Sequence, residues 1–200
     1  LINNLKKKKI KIPKFFKCDI SNIKKMQNII QKEGPFDVLI NNAGNDQRHS
    51  INDVTEKYFK NRMDINLKHY FFSAKAIKDG MIENKGGSII NLSSICWLRG
   101  APGFILYSSA KSAIFGLTRS LARELGKYNI RVNSISPGSV ATERQIKLWL
   151  KPKLKKELMS LQSLKFQLMP EDIANMALYL ASESSSGCTK QNFIVDAGIT

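Results

Sequence analysis

The segment 107–111 reads Tyr-Ser-Ser-Ala-Lys and combines two side chains that can move a proton. If the segment is helical, residues four apart lie on one face, so the Lys111 ammonium can lie beside the Tyr107 phenol. A cation there favours the phenolate and lowers a phenol pKa that is ordinarily about 10. Tyr107 could then act as an acid or a base near neutral pH. By itself the pattern is weak, because Tyr and Lys at this spacing are common on amphipathic helices.

Other polar residues are placed where they could join this pair. Ser94 lies 13 residues before Tyr107, after a predicted strand, where its hydroxyl could bind the same substrate oxygen. Asn41 to Gly44 also follow a predicted strand, at the carboxyl edge where open α/β sheets bind ligands. Asn66 is expected inside a helix, where Asn has poor propensity and needs a polar partner. These residues predict one site at a sheet edge.

Short apolar segments rich in β-branched residues alternate with segments of helical spacing. Strands are predicted at 15–18, 36–40, 88–92, 130–135 and 193–195. Helices are predicted from a cap at Ser21 to Gly34, from Thr55 towards Gly80, over 107–126, and from Pro170. The alternation is typical of an α/β, Rossmann-like, doubly wound parallel sheet with helices on both faces, in three layers. We expect residues 1–200 to form a single domain.

A glycine-rich turn between the first strand and helix is the usual phosphate cradle of such sheets, and no G-x-G-x-x-G occurs here. Residues 1–9 resemble the tail of a helix instead. Two interpretations remain at this point. Either the fold does not bind a dinucleotide, or its first strand-helix-strand unit precedes Leu1.

Composition limits the possible partners. The net charge is +16, but lysine supplies 25 of the 32 basic residues, and Lys, Ile and Asn share A/T-rich codons. Because arginine and aromatic residues, which nucleic-acid sites favour, are not enriched, we expect no nucleic-acid partner. No apolar stretch approaches a membrane span, and no secretory signal is visible. Three cysteines without pairing patterns favour a cytoplasmic protein without a metal site.

Together these motifs resemble the short-chain dehydrogenase/reductase family over essentially the whole chain. By that resemblance Asn66, Ser94, Tyr107 and Lys111 are the catalytic residues. The resemblance also implies NAD or NADP as the cofactor, with a slight preference for NAD. Positions that match cofactor contacts are Asp19, Ile20, Asn41, Gly44, Tyr107, Lys111, Pro137, Gly138, Val140 and Thr142. The family's glycine-rich unit is expected to be missing before Leu1, which makes residues 1–200 an N-terminally truncated domain.

A narrower resemblance links residues 41–49 to sugar-oxidising members of the family, the D-xylose and related aldose 1-dehydrogenases. It implies transfer of hydride from C1 of a pentose or hexose to nicotinamide, which gives a lactone. Asp46, Trp97 and Gln145 are the candidate substrate contacts, since sugars need paired polar side chains and an apolar platform. Asp46, Arg48 and His49 fit a surface loop or subunit contact as well as a functional role. No metal ligand set is expected.

Two alternatives stay open. The same catalytic residues would serve a 3-oxoacyl reductase or another alcohol or ketone reductase. A different class is a truncated, non-catalytic binding or oligomerisation module, which the absent glycine-rich turn favours. By resemblance we also expect a homo-oligomer, a dimer or tetramer, formed by two long helices. Their candidate contact residues are Phe71, Phe72, Leu117 and Leu121.

Overall fold

Four parallel strands form the sheet in the order in which they occur along the chain. The structure is a computed structural model that describes residues 13–200. The strands are β1 (Val38–Asn41), β2 (Gly87–Leu92), β3 (Ile130–Pro137) and β4 (Asn192–Val195). In the register of the sheet, Asn41 of β1 lies beside Asn91 of β2, and Pro137 of β3 lies beside Val195 of β4. Since every pair is parallel, the carboxyl ends of all four strands meet at one edge.

Eight α-helices connect and cover these strands within the described part of the chain. The elements before β2 are α1 (Ile23–Glu33), α2 (Glu56–Met63) and α3 (His69–Glu83), with a π-helical turn (Asp64–Lys68) between the last two. Between β2 and β3 lie α4 (Cys96–Arg99) and the long α5 (Ile105–Leu125). After β3 come α6 (Glu143–Leu148), α7 (Pro152–Leu161) and α8 (Pro170–Ala181). Three short 3-10 turns complete the list: Ile51–Asp53, Gly126–Tyr128 and Glu183–Ser185.

Separate apolar cores lie on the two faces of the sheet. On one face, side chains of α3 and α5 such as Ile77 and Ala122 pack against Ile89 and Val132 of the strands. On the other face, Leu180 of α8 packs in one apolar cluster with Ile90, Leu92 and Ile135 of the strands. Alternate strand residues therefore face opposite layers, as the pleat requires. The predicted three-layer α/β fold is confirmed.

Local details differ from the sequence-based expectation at the start of the described region. The predicted strand at 15–18 is wrong: these residues have no strand structure, and Phe15 is 80% exposed. A strand needs a neighbour for its backbone groups, and within residues 13–200 no strand pairs with this segment. Asn22, not Ser21, caps α1 and accepts a hydrogen bond from the Lys25 amide. The helix tail expected at 1–9 lies outside the described residues.

The remaining boundaries follow their sequence signals. Thr55 caps α2 through the Tyr58 amide, Gly126 follows the last residue of α5, and α8 begins at Pro170. Helices α6 and α7 were not expected from the Lys-rich sequence in this region. Within residues 13–200 no helix combines the length and apolarity that crossing a bilayer requires.

Candidate active site

Helix α5 presents Tyr107 in its first turn and Lys111 one turn later. The helix begins just after Gly103, whose φ of +76° suits glycine, and no side chain of its own caps it. His49 supplies the cap instead, because its Nε2 accepts the Leu106 amide at 3.3 Å. The Lys111 Nζ lies 5.5 Å from the centroid of the Tyr107 ring. The predicted shared face of these two residues is thus present in the structure.

Lys111 is nearly fully buried, at 3% exposure, and its ammonium has two protein acceptors. Its Nζ donates to the Leu92 carbonyl oxygen at 2.6 Å and to the Tyr70 hydroxyl at 3.0 Å. Burial lowers the pKa of Lys111 to about 7, and the proximity of Cys96 partly opposes that change. Near neutral pH this amine can therefore gain or lose a proton.

The Tyr107 phenol has its pKa raised, and burial is the largest cause. Cys96 and Asp46 add to the rise, whereas a hydrogen bond with the Ser94 side chain and the charge of Arg144 oppose it. The expectation of a lowered Tyr107 pKa is therefore wrong for the protein alone, because desolvation of the phenolate outweighs the nearby cations.

Ser94 follows the end of β2 and is 8% exposed. Its hydroxyl accepts the Cys96 amide at 3.2 Å, and its interaction with the Tyr107 phenol favours a lower pKa of that phenol. Backbone bonds beyond the strand ends, from Ser93 N to Ile135 O and from Ile95 N to Pro137 O, hold this segment against β3. The structure thus brings Ser94 and Tyr107 together at the carboxyl edge of the sheet.

Asn66 lies in the π-helical turn between α2 and α3, and π-helical turns often mark functional sites. Its Oδ1 accepts the Asn45 amide at 2.7 Å, while its Nδ2 is buried with no partner among the described residues. Gly44 lies alongside, and a Cβ at that position would meet Asn66 Oδ1 at 3.4 Å and Lys111 Nζ at 3.5 Å. A glycine at 44 therefore keeps the approach to Lys111 open.

Asn41 is one of the predicted cofactor contacts, but its side chain is committed to the protein. Its Nδ2 donates to Asn91 Oδ1 at 2.9 Å, and its Oδ1 accepts the Ser73 hydroxyl at 2.7 Å. It is 5% exposed. The side chain therefore joins β1 to β2 and α3, and a ligand would meet the backbone near this residue.

The predicted contacts after β3 begin at Pro137, the last strand residue. A Cβ on Gly138 would lie 2.8 Å from the Cα of Asp196, so only glycine fits there. Val140 is half-buried, and its carbonyl accepts the Thr142 amide at 2.9 Å. Thr142 caps α6 through the Gln145 amide.

Asp19 and Ile20, matched to the adenine side, lie just before α1. Asp19 is exposed, and hydrogen bonds from the amide and hydroxyl of Ser21 lower its pKa. Ile20 is half-buried in the following turn.

The candidate substrate residues divide into a pair and a separate residue. Asp46 and Gln145 are in contact, with the Gln145 Nε2 donating to Asp46 Oδ2 at 2.6 Å, and Arg144 forms an ion pair with the same carboxylate. The charge of Asp46 also raises the pKa of Tyr107, so the carboxylate lies within electrostatic range of the phenol. Trp97 instead stacks on Phe115 of α5 at a centroid distance of 6.2 Å.

The Arg48 guanidinium, for which the sequence left a surface role and a functional role open, lies over the rings of Phe104 and Trp149 at 5.0 and 4.5 Å. It thus connects the 45–49 loop to the segment after α6. Sequence reasoning missed Tyr70, although its four-residue spacing from Asn66 was a usable signal. The contacts of Arg48 join distant parts of the chain, which periodicity cannot reveal. No cluster of three or more potential metal ligands occurs in the region from residue 13 onward.

Nearly the whole chain is similar to known proteins. Residues 3–200 match the family model described as Enoyl-(Acyl carrier protein) reductase. D-xylose 1-dehydrogenase of Caulobacter vibrioides is 42% identical over 186 residues, which are 93% of this chain and 75% of that protein. A probable galactose dehydrogenase of Rhizobium meliloti is 40% identical over 191 residues, covering 94% of this chain and 75% of that protein.

A solved structure with a similar fold is that of a 3-oxoacyl-[acyl-carrier protein] reductase with bound NAD from Brucella melitensis. Its TM-score is 0.87 at 30% sequence identity, and the superposition covers 99% of this chain and 75% of that chain. Sequence and fold thus lead to the same group of proteins.

Proposed function

Because the chain belongs to the short-chain dehydrogenase/reductase family of oxidoreductases, we propose that it oxidises an aldose at C1 to a lactone with a nicotinamide cofactor. The observation that carries the proposal is the contact of Asp46 with Gln145, within electrostatic range of Tyr107. A carboxylate and an amide side by side can each bind sugar hydroxyls, and their position next to the phenol would direct C1 towards it. The names of the two dehydrogenase relatives agree with this class of substrate.

The residues present fit a nicotinamide dinucleotide on the side nearest Lys111. Gly44 leaves the space beside the Lys111 ammonium free of a side chain. Lys111 would hold the ribose, Asp19 and Ile20 the adenine side, and Val140 and Thr142 the nicotinamide carboxamide. NAD is our preferred cofactor, since the Brucella melitensis structure contains it. When bound, the oxidised cofactor supplies the acceptor for the hydride.

The chain's own residues would manage the proton. The C1 hydroxyl donates to Tyr107 and accepts from Ser94, both at the carboxyl edge of the sheet. As the C1 hydrogen leaves with its electron pair, the hydroxyl proton passes to the Tyr107 phenolate, and the C1–O bond becomes the lactone carbonyl. Since burial raises the pKa of Tyr107, the phenolate requires Lys111 in its ammonium form. Asn66 would hold Gly44 and its loop in place through the Asn45 amide.

A second function has a specific observation in its favour. The Brucella melitensis protein of the same fold is a 3-oxoacyl reductase, and Ser94, Tyr107 and Lys111 would serve ketone reduction equally well. The feature that favours a sugar is the pair of Asp46 and Gln145, since an acyl chain offers no hydroxyls to them.

A substrate panel tests the proposal. The chain is assayed with D-xylose and D-galactose against a 3-oxoacyl thioester, each with the NAD and the NADP forms of the cofactor. Asp46→Asn should raise the KM for the aldose about tenfold, the effect of losing one charged hydrogen bond. Asp79→Asn, at an exposed position on α3, is the matched control and should leave KM unchanged. Turnover of the thioester alone would overturn the aldose proposal in favour of the second function. Absence of both cofactor binding and turnover would identify a non-catalytic module.

We further propose a cytoplasmic homo-oligomer that pairs through α3 and α5. Phe71 on α3 is 46% exposed, and all three cysteines are free, as a reducing compartment would keep them. Light scattering coupled to size-exclusion chromatography should give a mass above that of one chain, and Phe71→Asp should lower it. A monomeric parent would contradict this assembly.

A further inference from the structure

Tyr70 is a fully buried phenol, with 0% exposure, that contacts Lys111 from α3. Its hydroxyl donates to the Leu92 carbonyl oxygen at 2.8 Å and accepts from Lys111 Nζ at 3.0 Å. The Lys111 Nζ also lies 5.2 Å from the centroid of the Tyr70 ring. We propose that Tyr70 is a positioning residue that holds the Lys111 side chain and keeps it in its ammonium form.

Counting donors and acceptors supports this role. An ammonium group has three N–H donors. Two of them are used by the Leu92 carbonyl and the Tyr70 hydroxyl, and in the described region the third has no protein acceptor. Tyr70 and Leu92 thus fix Nζ through two bonds and leave one donor available for a ligand.

The electrostatic surroundings explain why Tyr70 is needed. The titratable groups that face Lys111 are the phenols of Tyr70 and Tyr107, the thiol of Cys96 and the imidazole of His69. None of the four is a carboxylate, so no full negative charge from this set offsets burial of the ammonium. The charged form must rely on dipoles, namely the Leu92 carbonyl and the Tyr70 hydroxyl oxygen.

The consequence for catalysis rests on the proposed function, whereas the test of the contact does not. Tyr70→Phe keeps the ring and removes the oxygen that accepts from Lys111. Loss of an acceptor disfavours the charged amine, so the pKa of Lys111 should fall by about one pH unit, about a tenfold change in its protonation equilibrium. The readout is an NMR titration of the Lys111 ε-methylene signal in the 200-residue chain without added cofactor. The signal is identified as the one that Lys111→Met removes.

Ser88→Ala is the matched control. Like Tyr70→Phe, it removes a buried hydroxyl that donates to a backbone carbonyl, here that of Leu180. Ser88 lies near the start of β2, whereas Leu92 is at its end. This variant should lose comparable stability but leave the Lys111 titration unchanged. An unchanged Lys111 pKa in Tyr70→Phe, or an equal shift in Ser88→Ala, would overturn the inference. If Tyr70→Phe does not fold, the contact is tested in the parent protein instead. Nuclear Overhauser effects between the Tyr70 ring protons and the Lys111 ε-methylene protons are expected there, and their absence would overturn the contact.

Activity gives a second, separate readout. If Lys111 supports the Tyr107 phenolate, Tyr70→Phe should shift the acidic limb of the kcat profile for aldose oxidation to higher pH. A merely structural loss would lower the yield of active protein without moving that limb. If Tyr70→Phe shifts the Lys111 pKa but leaves the acidic limb of the kcat profile in place, the role of Tyr70 is supported. The proposed role of Lys111 in stabilising the Tyr107 phenolate is then overturned.

Discussion

Two buried polar clusters use the same pair of helices, α3 and α5, and differ in how completely their hydrogen bonds are made. In the first, every side chain has a partner: Ser73 donates to Asn41, Asn41 to Asn91, and Asn91 to Thr118. In the second, Asn66 Nδ2 and both ring nitrogens of His69 have no partner within residues 13–200. We call the first the amide cluster (Asn41, Ser73, Asn91, Thr118) and the second the lysine cluster (Asn66, His69, Tyr70, Lys111).

The difference in hydrogen bonding corresponds to a difference in charge. The amide cluster consists of neutral groups that do not titrate in the ordinary pH range. In the lysine cluster, burial lowers the pKa of Lys111 to about 7 and that of His69 to about 4. Incomplete bonding and shifted titration together are typical of functional sites, whereas completed networks stabilise the fold. Ser73 lies only three residues beyond Tyr70 on the same helix, so the two roles are separated by a single turn.

The largest expected effect tests whether the site beside the lysine cluster is catalytic. Tyr107→Phe removes the group that would accept the substrate proton, and kcat for aldose oxidation should fall about a thousandfold. The midpoint of thermal unfolding should change little, since the ring remains. Tyr128→Phe, at a position 37% exposed in the turn after α5, serves as the control and should retain activity. Substantial turnover by Tyr107→Phe would mean that the site beside the lysine cluster is not catalytic. The contrast with the amide cluster would then lose its functional meaning.

The next effect concerns the amide cluster. Asn91→Ala leaves the Asn41 amide and the Thr118 hydroxyl without their partner, and the free energy of unfolding should fall by about 3 kcal/mol. Urea denaturation measures this loss. Asn84→Ala is the control, because the Asn84 amide bonds to Asp37 at the surface, and it should change stability by less than about 0.5 kcal/mol. Equal small losses in both variants would mean that the amide cluster does not stabilise the fold.

His69 provides a pH-dependent contrast between the clusters. Burial, followed by the nearby Lys111 charge, lowers its folded pKa from 6.5 to about 4. The unfolded chain therefore takes up the proton first, and the stability that neutral His69 contributes is present above pH 6.5 and lost as pH falls towards 4. That loss should be roughly 2–3 kcal/mol.

Urea denaturation at several pH values between 4 and 7 checks the sign and the size of this effect. His69→Gln should show a flatter dependence than the parent. Ser88→Ala provides the control, because it removes a buried hydroxyl that does not titrate in this range and should keep the parent's dependence. A parent and a His69→Gln variant with the same slope would contradict the assignment.

The amide cluster was largely out of reach of sequence reasoning. The strands at 88–92 and 130–135 and the helix over 107–126 could be predicted, because apolar periodicity and glycine boundaries are local signals. The spacing of Tyr107 and Lys111 and the position of Ser94 after a strand were also visible. The bonds that complete the amide cluster span 27 to 50 residues, and no local pattern carries them.

Sequence reasoning was misled where a local signal lacked tertiary support. Residues 15–18 have the composition of a strand, yet no strand in the described part of the chain pairs with them. The cofactor contact that the family resemblance implies at Asn41 stays a prediction, and the structure adds only that its side chain belongs to the amide cluster. The predicted lowering of the Tyr107 pKa was wrong for the protein alone. The four-residue spacing reveals the nearby Lys111 cation but not the burial that raises the pKa.

The smallest effect tests whether the amide cluster acts as a connected unit. Thr118→Val keeps the shape of the side chain and removes only the oxygen that accepts from Asn91, so the free energy of unfolding should fall by about 1–2 kcal/mol. In the Asn91→Ala background, Thr118→Val has no bond left to remove. Its loss in free energy of unfolding should therefore be about 1 kcal/mol smaller than in the parent. Urea denaturation of the parent, the two single variants and the double variant gives this coupling directly. Fully additive losses would mean that the bond from Asn91 to Thr118 contributes nothing, and the amide cluster would then be a set of separate contacts instead of a network.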